Sequence, residues 1–131
     1  MITKEKCVKK HNPGFEQLCE AARKNVHEVS IQQVKEMMDK GTIPLVLDVR
    51  EESEFQKDHI PGAKHLGRGV LERDIETVVP DKATPMVLYC GGGYRSALAA
   101  ESIQKMGYTN VLSMDGGYRG WNEASYPLVK E

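Results

Sequence analysis

Pro85-Met86-Val87-Leu88-Tyr89-Cys90-Gly91-Gly92-Gly93-Tyr94-Arg95-Ser96 runs an apolar stretch straight into a cysteine, three glycines and an arginine. The apolar part predicts a strand buried on both faces. Behind it, Arg95–Met106 has helical spacing, with Ala99, Ile103 and Met106 turned inward and Gly107 ending the helix. A strand, a glycine turn and a helix in that order belong to an α/β sheet. In such sheets ligands bind beyond the carboxyl ends of the strands. Cys90 stands at one of those ends.

Outward from this stretch the same alternation continues. Leu45-Val46-Leu47-Asp48-Val49 is a second apolar run that ends in charge. A short acidic helix over Glu51–Lys57, a turn at His59–Ala63, a small strand near Lys64–Leu66 and a helix over Val70–Val79 lie between the two runs, with Pro80 closing the helix. Downstream come a strand over Asn110–Met114 and a helix over Gly117–Ala124. Upstream, His27–Val29 is extended, and Ser30 with Gln33 forms a capping box. The helix it opens carries Ile31, Val34, Met37 and Met38 and stops at Gly41. Asn12-Pro13 starts one more helix, with Phe15, Leu18, Cys19, Ala22 and Val26 on its apolar stripe. Strands alternating with helices require crossovers, hence a mainly parallel sheet with helices on both faces.

At 131 residues the chain suits one domain. Lysine and arginine total 18 against 19 acids, a net charge of −1, so no basic excess suggests nucleic acid as a partner. No apolar run approaches the ~20 residues of a membrane span. The basic opening, with Lys4, Lys6, Lys9 and Lys10, has no apolar stretch behind it and is not a secretory signal. Three cysteines, Cys7, Cys19 and Cys90, make an odd count without a CxxC. Neither a disulfide framework nor a metal site is expected, and no organic cofactor is indicated. The expectation is a soluble cytoplasmic protein.

Three consecutive glycines each cost order, about 0.5–1 kcal/mol against alanine. They supply backbone free of Cβ atoms that can turn several N–H groups toward one centre, an anion nest at a helix start. Here the anion is the sulfur of Cys90. Thiols at helix N-termini beside cations are more acidic than free ones and more often ionised. Arg95 keeps its charge and can bridge loop carbonyls or an anionic substrate. Ser96 can cap N–H groups or donate to sulfur. Gly91, Gly92, Gly93, Tyr94 and Ser96 are the expected substrate-binding positions, with Cys90 and Arg95 catalytic. A phosphate-binding loop is excluded, since no Gly-Lys-Ser/Thr and no GxGxxG spacing is present.

These residues resemble the rhodanese family of sulfurtransferases. Leu47-Asp48-Val49-Arg50, Glu54-Phe55 and His59-Ile60-Pro61-Gly62-Ala63 are similar to its early signature, and Asp115-Gly116-Gly117 with Trp121 and Pro127 to its closing segment. The resemblance covers about residues 27–129. It implies a parallel five-stranded rhodanese-like domain over 27–131, preceded by a 1–26 extension with one amphipathic helix. It also implies a Cys90 persulfide, loaded by a donor such as thiosulfate, mercaptopyruvate or a persulfide. The sulfur then passes to a thiol, a thiol protein or cyanide. Four residues separate Cys90 from Arg95. Phosphatases that share the fold keep one more, and the tighter ring suits a sulfur atom better than a phosphate. Family members that favour thiosulfate often carry an extra basic residue in the loop. Positions 91–94 have none, which leaves Arg95 to receive an anionic donor alone.

Asp48 and Arg50 are expected to support structure, the aspartate holding backbone and the arginine pairing with an acid. His59 is expected in a turn and Cys19 in the core, rather than as a base and a resolving thiol. Tyr118 and Trp121 are expected to pack beneath the loop, and Tyr94 either to line its mouth or to stand as an exposed turn residue. Besides an enzyme, a sulfur carrier or redox-sensing module and a silent interaction domain remain open.

Overall fold

The computed structural model describes residues 11–42 and 45–130. Cys7 and the basic opening lie outside the described residues. The elements in chain order are α1 (Pro13–Arg23), β1 (His27–Val29), α2 (Ile31–Asp39), β2 (Leu45–Asp48), α3 (Glu52–Lys57), β3 (Lys64–His65), a 3-10 turn (Arg68–Val70), α4 (Leu71–Val78), β4 (Met86–Tyr89), α5 (Tyr94–Gln104), β5 (Val111–Met114) and α6 (Gly117–Glu123). The strands form one sheet in the order β1-β5-β4-β2-β3, and every pairing within it is parallel. β2 and β4 run in register from Leu45 opposite Met86 to Asp48 opposite Tyr89.

Period-2 alternation splits the apolar runs between two cores. Leu47, Val49, Met86, Leu88, Cys90 and Val111 face Leu71 and Ile75 of α4 and Ala99 and Ile103 of α5. Val46, Val87, Tyr89, Val29 and Met114 face Val34 of α2 and Trp121 of α6. Both faces are thus dry, which is why β2 and β4 are apolar without interruption.

The ends of the helices follow from local chemistry. Ser30 accepts from the Gln33 amide, and Gln33 returns a bond to the Ser30 N–H. After α2 the chain turns at Gly41 with φ of 71°, where a Cβ would be strained. Helix α1 packs against α5. Its seam is narrower than the stripe in the sequence. Cys19 and Ala22 are buried, whereas Leu18 is 58% exposed at the rim and Val26 lies past the last turn. The contact is one helix wide, so only residues aimed directly at α5 are covered.

Candidate active site

β4 ends at Tyr89, and the following loop and helix start bring two backbone amides to the sulfur of Cys90. The Gly93 N–H donates to Sγ at 3.1 Å and the Ser96 N–H at 3.3 Å. Gly93 is the N-cap of α5 with φ of 103°, a conformation that favours glycine. The first turn of α5 therefore points its free N–H groups at the sulfur. Ser96 departs from one expectation. Its hydroxyl neither caps the helix nor donates to sulfur, but donates to the Gly93 carbonyl and shares a hydrogen bond with Ser113. Only its backbone reaches Sγ.

A cavity of about 650 Å³ opens over the loop. Cys90, Gly91, Gly92, Tyr94 and Arg95 line it, so the residues singled out in the sequence come together, apart from Gly93 and Ser96, which lie behind the sulfur. The Arg95 guanidinium stands over Gly91, 3.8 Å from Glu54 and 4.0 Å from Glu51. The opposite side of the cavity comes from α1 and from His11 just before it. Phe15 and His11 meet the Tyr94 ring edge-on, with centroids 6.0 and 5.2 Å away, and Arg23 lies over the same ring. Arg23 also binds Glu28 at 3.0 Å and Asp115 at 3.5 Å, which ties α1 to the ends of β1 and β5.

Arg119 was not singled out in the sequence, and the structure places it at the loop. Arg95 is therefore not the lone cation there. The Tyr118 N–H donates to the Cys90 carbonyl at 2.7 Å and the Arg119 N–H to the Gly91 carbonyl at 2.9 Å. Gly117 permits this docking, because a Cβ on it would lie 2.5 Å from the Cys90 carbonyl oxygen. The Arg119 guanidinium then folds back over Gly92, where a Cβ would lie 2.8 Å from Nη1. The sequence signal was the Asp115-Gly116-Gly117 turn, which fixes where α6 starts but not that its first turn returns to the cysteine.

Asp48 and Arg50 sit at the end of β2, outside the cavity over Cys90. The Arg50 guanidinium donates to both Asp48 oxygens and to the Asp58 carbonyl, and the Arg50 N–H also reaches Asp48. Tyr89 donates to Asp48 at 2.6 Å and accepts from the Ile60 N–H. Burial lowers the basicity of Arg50, but its bonds to Asp48 outweigh this and raise it above its ordinary value. His59 is buried, stacked on Phe55 and bonded to the Phe55 carbonyl, while His65 binds the Arg50 carbonyl. Neither lines the Cys90 cavity. Trp121 is buried and donates to the Pro127 carbonyl, and Tyr118 donates to Asp58 beneath the Arg50 guanidinium. Cys19 is buried, and burial followed by the nearby Cys90 and Glu20 pushes its thiol up, away from a resolving role.

Among the described residues no group of three or more His, Cys, Asp and Glu side chains could hold a metal. Nor is any helix there long and apolar enough to cross a membrane.

The chain is similar to several known proteins. Thiosulfate sulfurtransferase GlpE of Tolumonas auensis is 33% identical over 101 residues, 77% of this chain and 92% of that one. The Bacillus subtilis "Putative sulfur carrier protein YrkF" is 31% identical over 97 residues, 74% of this chain but only 51% of its own length. Among solved structures, Rhodopseudomonas palustris RPA3614 superposes with a TM-score of 0.81 at 26% identity, covering 93% of this chain and 98% of that one. Its structure was described as that of a candidate tyrosine phosphatase. A thiosulfate sulfurtransferase of Pseudomonas aeruginosa superposes with a TM-score of 0.76 at 27% identity over 88% of this chain, which spans 22% of that one. Residues 30–124 match the family model of the rhodanese-like domain, and the chain belongs to that family.

Proposed function

We propose that the protein is a sulfurtransferase that carries one sulfur atom as a Cys90 persulfide. The observation that carries this reading is the thiol itself, at a strand end with two backbone amides aimed at Sγ beneath a cavity open to substrate. The Cys90 thiolate attacks the outer sulfur of thiosulfate or a persulfide, whose S–S bond breaks with the pair leaving on sulfite or a thiolate. With mercaptopyruvate it attacks the thiol sulfur, and the C–S bond breaks with the pair leaving on the enolate of pyruvate. The loop amides hold the charge of the terminal sulfur until a thiol, a thiol protein or cyanide removes it. Arg95 borders the reacting atoms as a fixed cation. Asp48 and Arg50 support the neighbouring strand end, and the helix that precedes the domain, α1, walls the cavity. A thiol that must stay reduced between turnovers fits the cytoplasm.

Formation of thiocyanate from thiosulfate and cyanide tests the reading. Because the enzyme is modified between the two half-reactions, initial rates give parallel double-reciprocal lines, the mark of ping-pong kinetics. Intersecting lines would overturn a free persulfide intermediate. Similarity to YrkF supports a second reading, a sulfur carrier. A carrier loads Cys90 yet turns over slowly with small acceptors. Release of phosphate from an aryl phosphate would favour a phosphatase instead, against the four-residue spacing between Cys90 and Arg95.

A further inference from the structure

We infer that Arg119 is the donor-binding cation of this site and receives the anionic end of the sulfur donor, an inference that rests on the sulfur-transfer reading. Three guanidinium groups line the cavity, those of Arg23, Arg95 and Arg119. Two are already engaged. Arg23 binds Glu28, Glu20 and Asp115, and Arg95 faces Glu54 and Glu51. Among the described residues Arg119 has no carboxylate within ion-pair distance, although it is only partly exposed. Its charge is the one left to meet a ligand.

The root of Arg119 is also fixed relative to the sulfur. Its own N–H and that of Tyr118 are bonded to the carbonyls of Gly91 and Cys90, which ties the start of α6 to the loop. The missing Cβ of Gly92 lets the guanidinium lie against the loop backbone. Arg119 further borders an adjoining cavity of about 360 Å³, which it shares with Gly91 and Tyr118. Loop positions 91–94 lack a basic residue, and the closing segment supplies one from the other side.

The chemistry needs a cation there. The electron pair of the Cys90 thiolate forms the new S–S bond, the donor's own S–S bond breaks, and its pair leaves on sulfite from thiosulfate or on a thiolate from an organic persulfide. Charge is conserved, and no proton or outside oxidant is required. Negative charge grows on the departing group, on the side of the sulfur away from the loop amides.

Alkylation of Cys90 by iodoacetate and by its neutral counterpart iodoacetamide tests the inference. Rates are read on the Cys90 peptide by mass spectrometry for the reduced full chain, Arg119→Gln and Arg119→Lys. Arg119→Gln should slow iodoacetate by about tenfold, the low end of what a focused charge does to the encounter of an ion. Iodoacetamide should change by less than about twofold, and Arg119→Lys should restore most of the iodoacetate rate. An equal loss with both reagents would make Arg119 a structural residue, and no loss with either would remove it from the site. Either result would overturn the inference. Alkylation needs no sulfur transfer, so such a failure leaves the sulfurtransferase reading standing. Loading by thiosulfate and by glutathione persulfide, in wild type and Arg119→Gln, then shows whether the anion is a sulfonate or a carboxylate. Loss with either donor supports the inference, and loss with neither overturns it.

Discussion

β2 and β4 lie side by side in the sheet and end in register, yet their carboxyl ends are built on opposite plans. At the end of β2 the charges are buried and paired. Asp48 is fully buried and takes hydrogen bonds from Arg50 and Tyr89, and Arg50 also donates to the Asp58 carbonyl. At the end of β4 a single sulfur faces two backbone N–H groups beneath an open cavity. The first arrangement is held mainly by side chains paired with one another, away from the cavity over Cys90. The second uses backbone alone, and glycines keep the space around it clear. The comparison predicts that damage at β2 appears as lost stability, and damage at β4 as lost chemistry.

The largest effect on stability should come from Asp48→Ala. It leaves the Arg50 guanidinium buried without its partner, a cost of about 3–5 kcal/mol. Denaturant unfolding should register that loss. If the variant is as stable as wild type, the β2 end is not the anchor described here.

Gly117→Ala ranks next and tests where the two plans meet. The new Cβ would strike the backbone of Cys90 and Gly91, which cannot give way as a side chain can. A cost of about 1–3 kcal/mol is expected, together with slower loading of Cys90. Gly92→Ala offers the contrast. Its Cβ meets only the far end of Arg119, so stability should hold within about 1 kcal/mol while loading from an anionic donor slows.

Tyr89→Phe is of the same order as Gly117→Ala. It leaves the Ile60 N–H without its acceptor, a cost of about 1–3 kcal/mol. It also has a pH signature. Burial first, then the adjacent Asp48 carboxylate, push the Tyr89 phenol well above its ordinary 10.0. The folded state therefore holds this proton more tightly than the unfolded chain does. The associated stability is complete below about pH 10 and is lost as pH rises past that value. Unfolding midpoints should fall more steeply above pH 10 in wild type than in Tyr89→Phe. Equal slopes would show that the Tyr89 proton is not linked to folding.

Much of this comparison was legible in the sequence, and the reason is local. An unbroken apolar run, a glycine turn and a capping box each act over a few residues, so the strands, the Ser30 box and the Cys90 loop could be placed from spacing. What escaped depends on distant pairs. Tyr89 reads as one more apolar residue of β4, and only the register with β2 shows that its hydroxyl meets Asp48. Arg119 lies in a helix that spacing locates well, but its return to Gly92 depends on how α6 docks. Leu18 fits the α1 stripe, and its exposure follows from the narrow seam with α5. The same seam puts Phe15 at the cavity beside Tyr94.

Phe15→Ala should have the smallest effect in this series. Loss of the Phe15 ring from the cavity wall, worth about 0.5–1 kcal/mol of contact with a bound organic donor, should raise the KM for that donor by about two- to fivefold. Stability should change little. An unchanged KM would mean that α1 borders the cavity without touching substrate.

The central claim, that the β4 end carries sulfur on Cys90, is tested most directly by intact mass. The reduced protein and Cys90→Ser are incubated briefly with thiosulfate, mercaptopyruvate or glutathione persulfide and then weighed. The account predicts a gain of one sulfur atom in the wild type alone, removed by cyanide or thiol. No gain with any donor in folded, reduced protein, or the same gain in Cys90→Ser, would contradict it.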